Sequence, residues 1–294
     1  MPAPDTLRTL IQRAVLAPSS HNTQPWQFRV VGDRIDLLAD RTRALPVNDP
    51  FDRELVISCG AALLTLRAAV AAAGMGARVQ VYPDATEADW LARVELTMDP
   101  ADAALAALAP LIEQRRTYRK AFEARTVAPE AMTAITAAAA LEGARLHPLD
   151  EEERRQAGRL LAEGDRAQWD DPRWRRELAL WMHPRRDGDG LAVPALAAPI
   201  AQAVVRRFDL GNGVAARDEE LLCGSPWLTV LATAADDPAS WLAAGQALQR
   251  ALLTACQHGL QASYLNQPVE VAPLRARLQA LLGTDAHPQL SQFQ

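Results

Sequence analysis

Ala17-Pro18-Ser19-Ser20-His21-Asn22-Thr23-Gln24-Pro25-Trp26 divides a helical pattern from a strand pattern. Upstream, Leu7, Leu10, Ile11, Ala14 and Val15 recur at helical spacing behind Asp5, and Pro18 ends that run. Downstream, Trp26 to Val31 alternates like a strand, Gly32-Asp33 reads as a tight turn, and Ile35 to Leu38 returns. The loop between them presents Ser19, Ser20, His21, Asn22 and Gln24 as donors and acceptors on a rigid base. A flat heteroaromatic ring with carbonyls and ring nitrogens is a natural ligand for such groups. A capped helix end with an Asx turn accounts for the same residues.

Further along, a long helix is predicted over roughly Arg53 to Ala73 with Gly74 as its stop, then strands at Arg78–Tyr82 and Leu91–Thr97. A helix over Ala103–Gln114 starts at Asp102, a possible N-cap, and Pro110 kinks or splits it. Another helix begins after Pro129. A strand at Arg145–Leu149, a helix at Glu151–Ala167, a strand at Trp227–Thr233, a helix at Ala239–His258 and a strand at Leu260–Leu265 follow. Strands and helices do not alternate in a regular βαβ beat, so the fold class is α+β. Gly60-Ala-Ala-Leu63 precedes Gly74 by the same interval (74 − 60 = 14) as Gly245-Gln-Ala-Leu248 precedes Gly259 (259 − 245 = 14). Two small-residue-rich helices of equal length suggest duplication, although Ala-rich helices ending in Gly are also common. Between about 169 and 224, several Trp, Pro and Gly residues mark an insertion of short helices and loops, the texture of a lid.

Composition bounds the function. The 294 residues are 49% hydrophobic and 23% charged, which is globular. A net charge of −5 argues against a nucleic-acid partner. Cys59, Cys223 and Cys256 are too few and too scattered for a disulfide framework or zinc site, and the five histidines lack ligand spacing, so no metal is expected. No signal peptide or membrane span is read, which makes a cytoplasmic setting the default. Gly211 to Ala216 fits G-x-G-x-x-A but lacks a βαβ setting, so a Rossmann site is rejected. No nucleophile elbow appears, and no catalytic side chain stands out.

Arg115-Arg116-Thr117-Tyr118-Arg119-Lys120 places four cations and two hydroxyls within six residues of an acidic chain. Arginine forks and a threonine hydroxyl suit a phosphate; a solvated helix C-terminus would also favour arginine.

Pro18 to Trp26 resembles the P-S-x-x-N-x-Q-P-W signature of the nitroreductase superfamily, and Arg115-Arg-Thr-Tyr-Arg119 is similar to its R-R-S-x-R phosphate motif. Their reversed order, the half-repeats and the insertion near Arg176-Glu177-Leu178 and Trp181 resemble the Acg-like branch. The resemblance covers nearly the whole chain. It implies a three-layer, antiparallel-rich α+β fold flanked by helices, a pseudo-dimer within one chain, with halves at 1–112 and 113–294 and the lid in the second. It implies FMN, held by Ser20, His21, Asn22, Thr23, Gln24 and Pro25 at the ring and ribityl chain and by Arg115, Arg116, Thr117 and Arg119 at the phosphate. Gln267 and Pro268 fall where the superfamily places backbone contacts to the ring. His287 to Gln294 resembles the P-Q-x-L-x-R-x-G tail, with Gln292 where an arginine is expected. The implied activity is NAD(P)H-dependent reduction of a nitroaromatic or quinone-like acceptor. The alternative is an FMN-storage protein with a closed lid. Lid exchange would favour a homodimer.

Overall fold

Helices Arg53–Ala72 and Pro238–Gln257 form the centre of the molecule. Most of their small residues are buried, and the helices cross at the repeated glycines. A Cβ on Gly60 would press on the Leu242 carbonyl oxygen and lie 3.0 Å from the Gly245 Cα, while one on Gly245 would meet the Ile57 carbonyl oxygen. Backbones can approach this closely only where neither helix carries a side chain. Gly74 (φ 77°) and Gly259 (φ 73°) follow the two helices in the left-handed conformation anticipated for helix stops. Helix Arg53–Ala72 is long and apolar enough to cross a membrane, but 89% of its apolar window is buried inside the protein. Its apolarity is that of a core helix.

This computed structural model describes residues 4–120, 122–123, 125–184, 188–194, 197–208, 213, 222 and 224–293. It is an α+β protein with two four-stranded sheets flanked by helices. The first sheet runs Trp26–Val31, Arg34–Ala39, Trp90–Thr97, Gly76–Val81, with every neighbour antiparallel. The second runs Ala144–Pro148, Leu228–Thr233, His287–Phe293, Ser263–Tyr264, also antiparallel. Alternation buries Ile35, Leu37, Ala92 and Val94 against Leu63, Leu66 and Val70 of the first central helix. Ala144, Leu146, Leu231 and Leu290 pack in the same way with Ala247, Leu248 and Ala251 of the second.

Several boundaries differ from expectation. The helix expected through Gln114 stops at Leu108 and continues as a tight 3₁₀ turn, Ala109–Leu111, because Pro110 cannot supply an interior N–H. The strand expected at Leu260–Leu265 shortens to Ser263–Tyr264, paired with Phe293 and Gln292. Helix Glu151–Asp170 runs past Ala167 and opens with a capping box between Asp150 and Glu153, which explains the acidic run there. Gln267–Glu270 is a short helix, followed by the helix Ala272–Leu281. Within the insertion, helices Pro172–Leu180 and Ala198–Arg207 flank a parallel pairing of Met182–His183 with Leu191–Ala192. Of the Gly211–Ala216 pattern only Gly213 is described; Arg217–Glu220, Cys223 and the Gln292 side chain also lie outside the described residues.

Candidate functional site

A cavity of about 910 Å³ opens where the loop after the first helix, the arginine segment, helix Glu151–Asp170 and the insertion converge. Ser20, His21, Asn22, Gln24, Arg115, Arg116, Thr117, Arg119 and Gln267 all line it. Thr23, Pro25 and Pro268 do not. Thr23 and Pro25 are buried beneath the loop, and Pro268 borders a small apolar void with Leu161 and Leu278.

The loop is held against its backbone preferences. His21 (φ 48°), Asn22 (φ 53°) and Gln24 (φ 53°) are all left-handed without being glycine, a conformation that surrounding structure must enforce. That structure is identifiable. Ser19 Oγ accepts from the Gln24 N–H at 3.0 Å, and Ser58 Oγ accepts from the Ser20 N–H at 3.3 Å. Arg43 donates to the Thr23 carbonyl at 2.8 Å, and the Cys59 thiol donates to the Pro25 carbonyl at 3.1 Å. Thr23 and Pro25 therefore anchor the loop and leave its other side chains to face the cavity.

Hydrogen bonding between Tyr118 N–H and the Ala262 carbonyl (2.9 Å) and the bridge from Thr117 to Ala262 tie the arginine segment to the second half. Arg115 lines the cavity with a buried guanidinium whose Nε and Nη1 have no partner among the described residues. Burial holds its pKa below the usual arginine value. The Tyr264 hydroxyl, which also lines the cavity, is likewise buried without a partner among the described residues, and burial pushes it up to about 12. Arg116 instead folds back onto the carbonyls of Glu113 (2.5 Å) and Arg115 (2.8 Å). Burial, helped by the Arg119 charge, brings His21 down to about 4, so its imidazole is neutral at pH 7; its Nδ1 has no partner among the described residues.

The cavity also has an acidic and aromatic lining that sequence spacing did not disclose. Asp165, Gln168, Trp169, Trp174 and Glu270 line the cavity. Trp169 and Trp174 meet edge to face at 5.4 Å, and the Trp174 indole donates to Asn48 at 2.7 Å. Gln267 donates to Asp165 at 2.9 Å and Gln168 to Glu270 at 2.5 Å. Behind this lining, Arg53 donates to the Gln289 carbonyl at 2.6 Å and lies 3.3 Å from Glu54. Burial and the nearby Glu270 carboxylate push Glu54 up to about 7; burial and Glu54 do the same to Asp49. Burial likewise raises Glu270. In the sequence, Glu54 looks like an ordinary acid in a helix's first turn; only tertiary burial distinguishes it.

Residues 188–192 of the insertion form another wall. Asn22 donates to the Gly188 and Gly190 carbonyls (2.9 and 3.1 Å), Gln24 donates to Gly188 (3.0 Å), and Arg43 pairs with Asp189 (2.7 Å). The Asn22 carbonyl in turn accepts from the Gly190 N–H at 2.9 Å.

This geometry coincides with a relationship that spans the chain. A Mycobacterium tuberculosis protein named "Putative NAD(P)H nitroreductase Rv3131" is 33% identical over 298 residues, covering 98% of this chain and 84% of its own length. From the same organism, "Putative NAD(P)H nitroreductase acg" is 28% identical over 297 residues, covering 97% of this chain and 87% of its own. "Uncharacterized protein Rv3127" is 28% identical over 293 residues, covering 96% and 84%. No family model matches the chain. The chain belongs to the nitroreductase superfamily, among the Acg-like proteins.

Proposed function

We propose that this nitroreductase-family protein binds FMN in the cavity and is an NAD(P)H-dependent oxidoreductase of nitroaromatic or quinone-like acceptors. The observation that carries the reading is the buried Arg115 guanidinium, with two nitrogens unpartnered in a cavity also lined by the strained Ser20–Gln24 loop. A buried cation with open donors is costly unless an anion completes it, and a phosphate does so bidentately. A volume of about 910 Å³ suits a cofactor pocket, which runs to about 300–1,000 Å³. Arg115, Thr117 and Arg119 would hold the phosphate. Ser20, His21, Asn22 and Gln24 would hold the ring edge and ribityl chain, together with Gln267. When bound, FMN supplies hydride transfer between nicotinamide and acceptor. The chain's own residues position the ring and exclude water.

Two halves of one origin fit the same reading. Each has a four-stranded antiparallel sheet and a twenty-residue central helix with a glycine at the crossing. Since the cavity is lined from both, one chain can build a site; sedimentation would test for the cytoplasmic homodimer we propose.

Reconstitution tests the reading. The purified chain should take up FMN and show bound-flavin absorbance, and an Arg115→Ala, Arg119→Ala double variant should bind it about tenfold or more weakly. A wild type that takes up none, or a double variant of unchanged affinity, overturns it. The storage alternative draws on one observation: Asn22 and Gln24 spend their amides on Gly188 and Gly190, which seats the insertion at the cavity. Anaerobic mixing of the FMN-loaded protein with NADPH or NADH separates the two. Bleaching at a useful rate supports the reductase, and persistent oxidised flavin supports storage.

A further inference from the structure

We propose that Glu54 and Ser20 form a proton relay into the cavity, resting on the reductase reading above. Ser20 lines the cavity and Glu54 does not. Their contact, Ser20 Oγ to Glu54 Oε2 at 2.7 Å, is a direct route from a buried carboxyl to the cavity wall. Glu54 is 2% exposed, so it exchanges protons with a bound molecule only through a neighbour. The Ser20 backbone is held in place, because its N–H is bonded to Ser58 and the loop around it is pinned.

The groups facing Glu54 favour a proton-loaded carboxyl. Glu270, on the short helix Gln267–Glu270, repels the Glu54 carboxylate, and Glu54 in turn repels Asp49 in the loop before its own helix. Arg53 and Arg275 oppose them. Arg53 is shared, since it also donates to the Gln289 and Val269 carbonyls. Arg275 is shared as well, pairing with Asp236 at 2.8 Å. Burial and the Glu270 charge outweigh this divided positive charge and the hydrogen bond from Ser20, which leaves Glu54 able to hold a proton near neutral pH.

An acceptor that has taken a hydride carries a new negative oxygen or nitrogen. The Ser20 O–H bond breaks as a new O–H or N–H bond forms on the acceptor. The Glu54 O–H bond breaks as the Ser20 O–H bond re-forms. Glu54 is left as carboxylate and takes a proton from water after the product leaves. Ser20 thus touches the reacting atom, and Glu54 is a positioning residue and proton reserve behind it. In the structure the Ser20 hydroxyl donates to Glu54 Oε2 at 2.7 Å; once Glu54 carries its proton the bond reverses, carboxyl to hydroxyl, which frees the serine proton for the cavity.

The test uses the full chain loaded with FMN, in wild-type, Ser20→Ala, Ser20→Thr and Glu54→Gln forms. Dithionite-reduced holoprotein is mixed anaerobically with 1,4-benzoquinone across pH 5 to 9 in H₂O and D₂O. The wild-type rate should fall by about tenfold per pH unit above neutrality, as for a single general acid. Ser20→Ala and Glu54→Gln should be slower by about tenfold or more at pH 6, with flat pH profiles and no solvent isotope effect; Ser20→Thr should restore both. Infrared titration of the protein before FMN loading should show protonated-carboxyl absorption that titrates near neutrality and loses one component, that of Glu54 rather than Asp49, in Glu54→Gln. Should Glu54→Gln fail to fold, Ser20→Ala and Ser20→Thr decide the matter. Two variants with the wild-type pH profile, or carboxyl absorption unchanged in Glu54→Gln, overturn the relay while leaving FMN binding and turnover in place. A wild type that takes up no FMN overturns the proposed function and the relay with it.

Discussion

Gly60 and Gly245 face each other where the two central helices cross, and a Cβ on either would strike backbone of the opposite helix. Helix backbone cannot yield as a flexible side chain can. Gly60→Ala or Gly245→Ala should therefore cost at least the roughly 1–3 kcal/mol of ordinary overpacking. Urea unfolding of each single variant would measure it. A midpoint equal to wild type would mean that the helices sit farther apart.

Glu54 also makes stability depend on pH. Its folded pKa is raised from 4.5 to about 7, so the folded state binds more protons than the unfolded state between those values. The associated stability is complete below about 4.5 and is lost as pH rises through 7, and the shift corresponds to roughly 3 kcal/mol at most. Gln stays neutral throughout, so Glu54→Gln should gain on wild type between pH 5 and pH 8. Thermal melts at both pH values read the difference; a constant gap between the two proteins would show that Glu54 does not titrate in that range.

His21 acts in the opposite sense. Its folded pKa is lowered from 6.5 to about 4, so its contribution is complete above 6.5 and is lost as pH falls through 4. NMR of the labelled imidazole should find it neutral at pH 5.5, whereas an exposed histidine would be mostly charged. A charged His21 at that pH would show the loop to be open.

Asp189 closes the insertion onto Arg43 by an ion pair of which both members are partly exposed. Such a pair contributes only about 0–1 kcal/mol, but it acts on a segment that lines the cavity. Asp189→Ala should leave the melting temperature nearly unchanged and raise iodide quenching of bound FMN fluorescence. Identical quenching in both proteins would show that residues 188–192 do not guard the ring.

Much was written locally. Pro18, the Gly32 turn, the two glycine stops and the strand alternation are short-range steric and patterning effects, and they predict the α+β order without any partner. The loop signature and the arginine cluster were also legible, because both are contiguous in the chain. Helix Ala272–Leu281 and the shortened strand at Ser263–Tyr264 were not, since their limits depend on packing and on pairing with the C-terminal strand.

By itself, then, the sequence determined that a polar loop and a cluster of arginines exist, and that two matched helices could pack closely. Tertiary structure decided which of those groups meet. It turned Arg115 inward and Arg116 onto its own backbone, made Thr23 and Pro25 anchors of the loop, and brought Asp165 and Glu270 to the same cavity. It also set Glu54 behind Ser20, 34 residues away in the chain. The physical reason is that burial sets the cost of a charge, and burial belongs to the assembled molecule rather than to any segment of it.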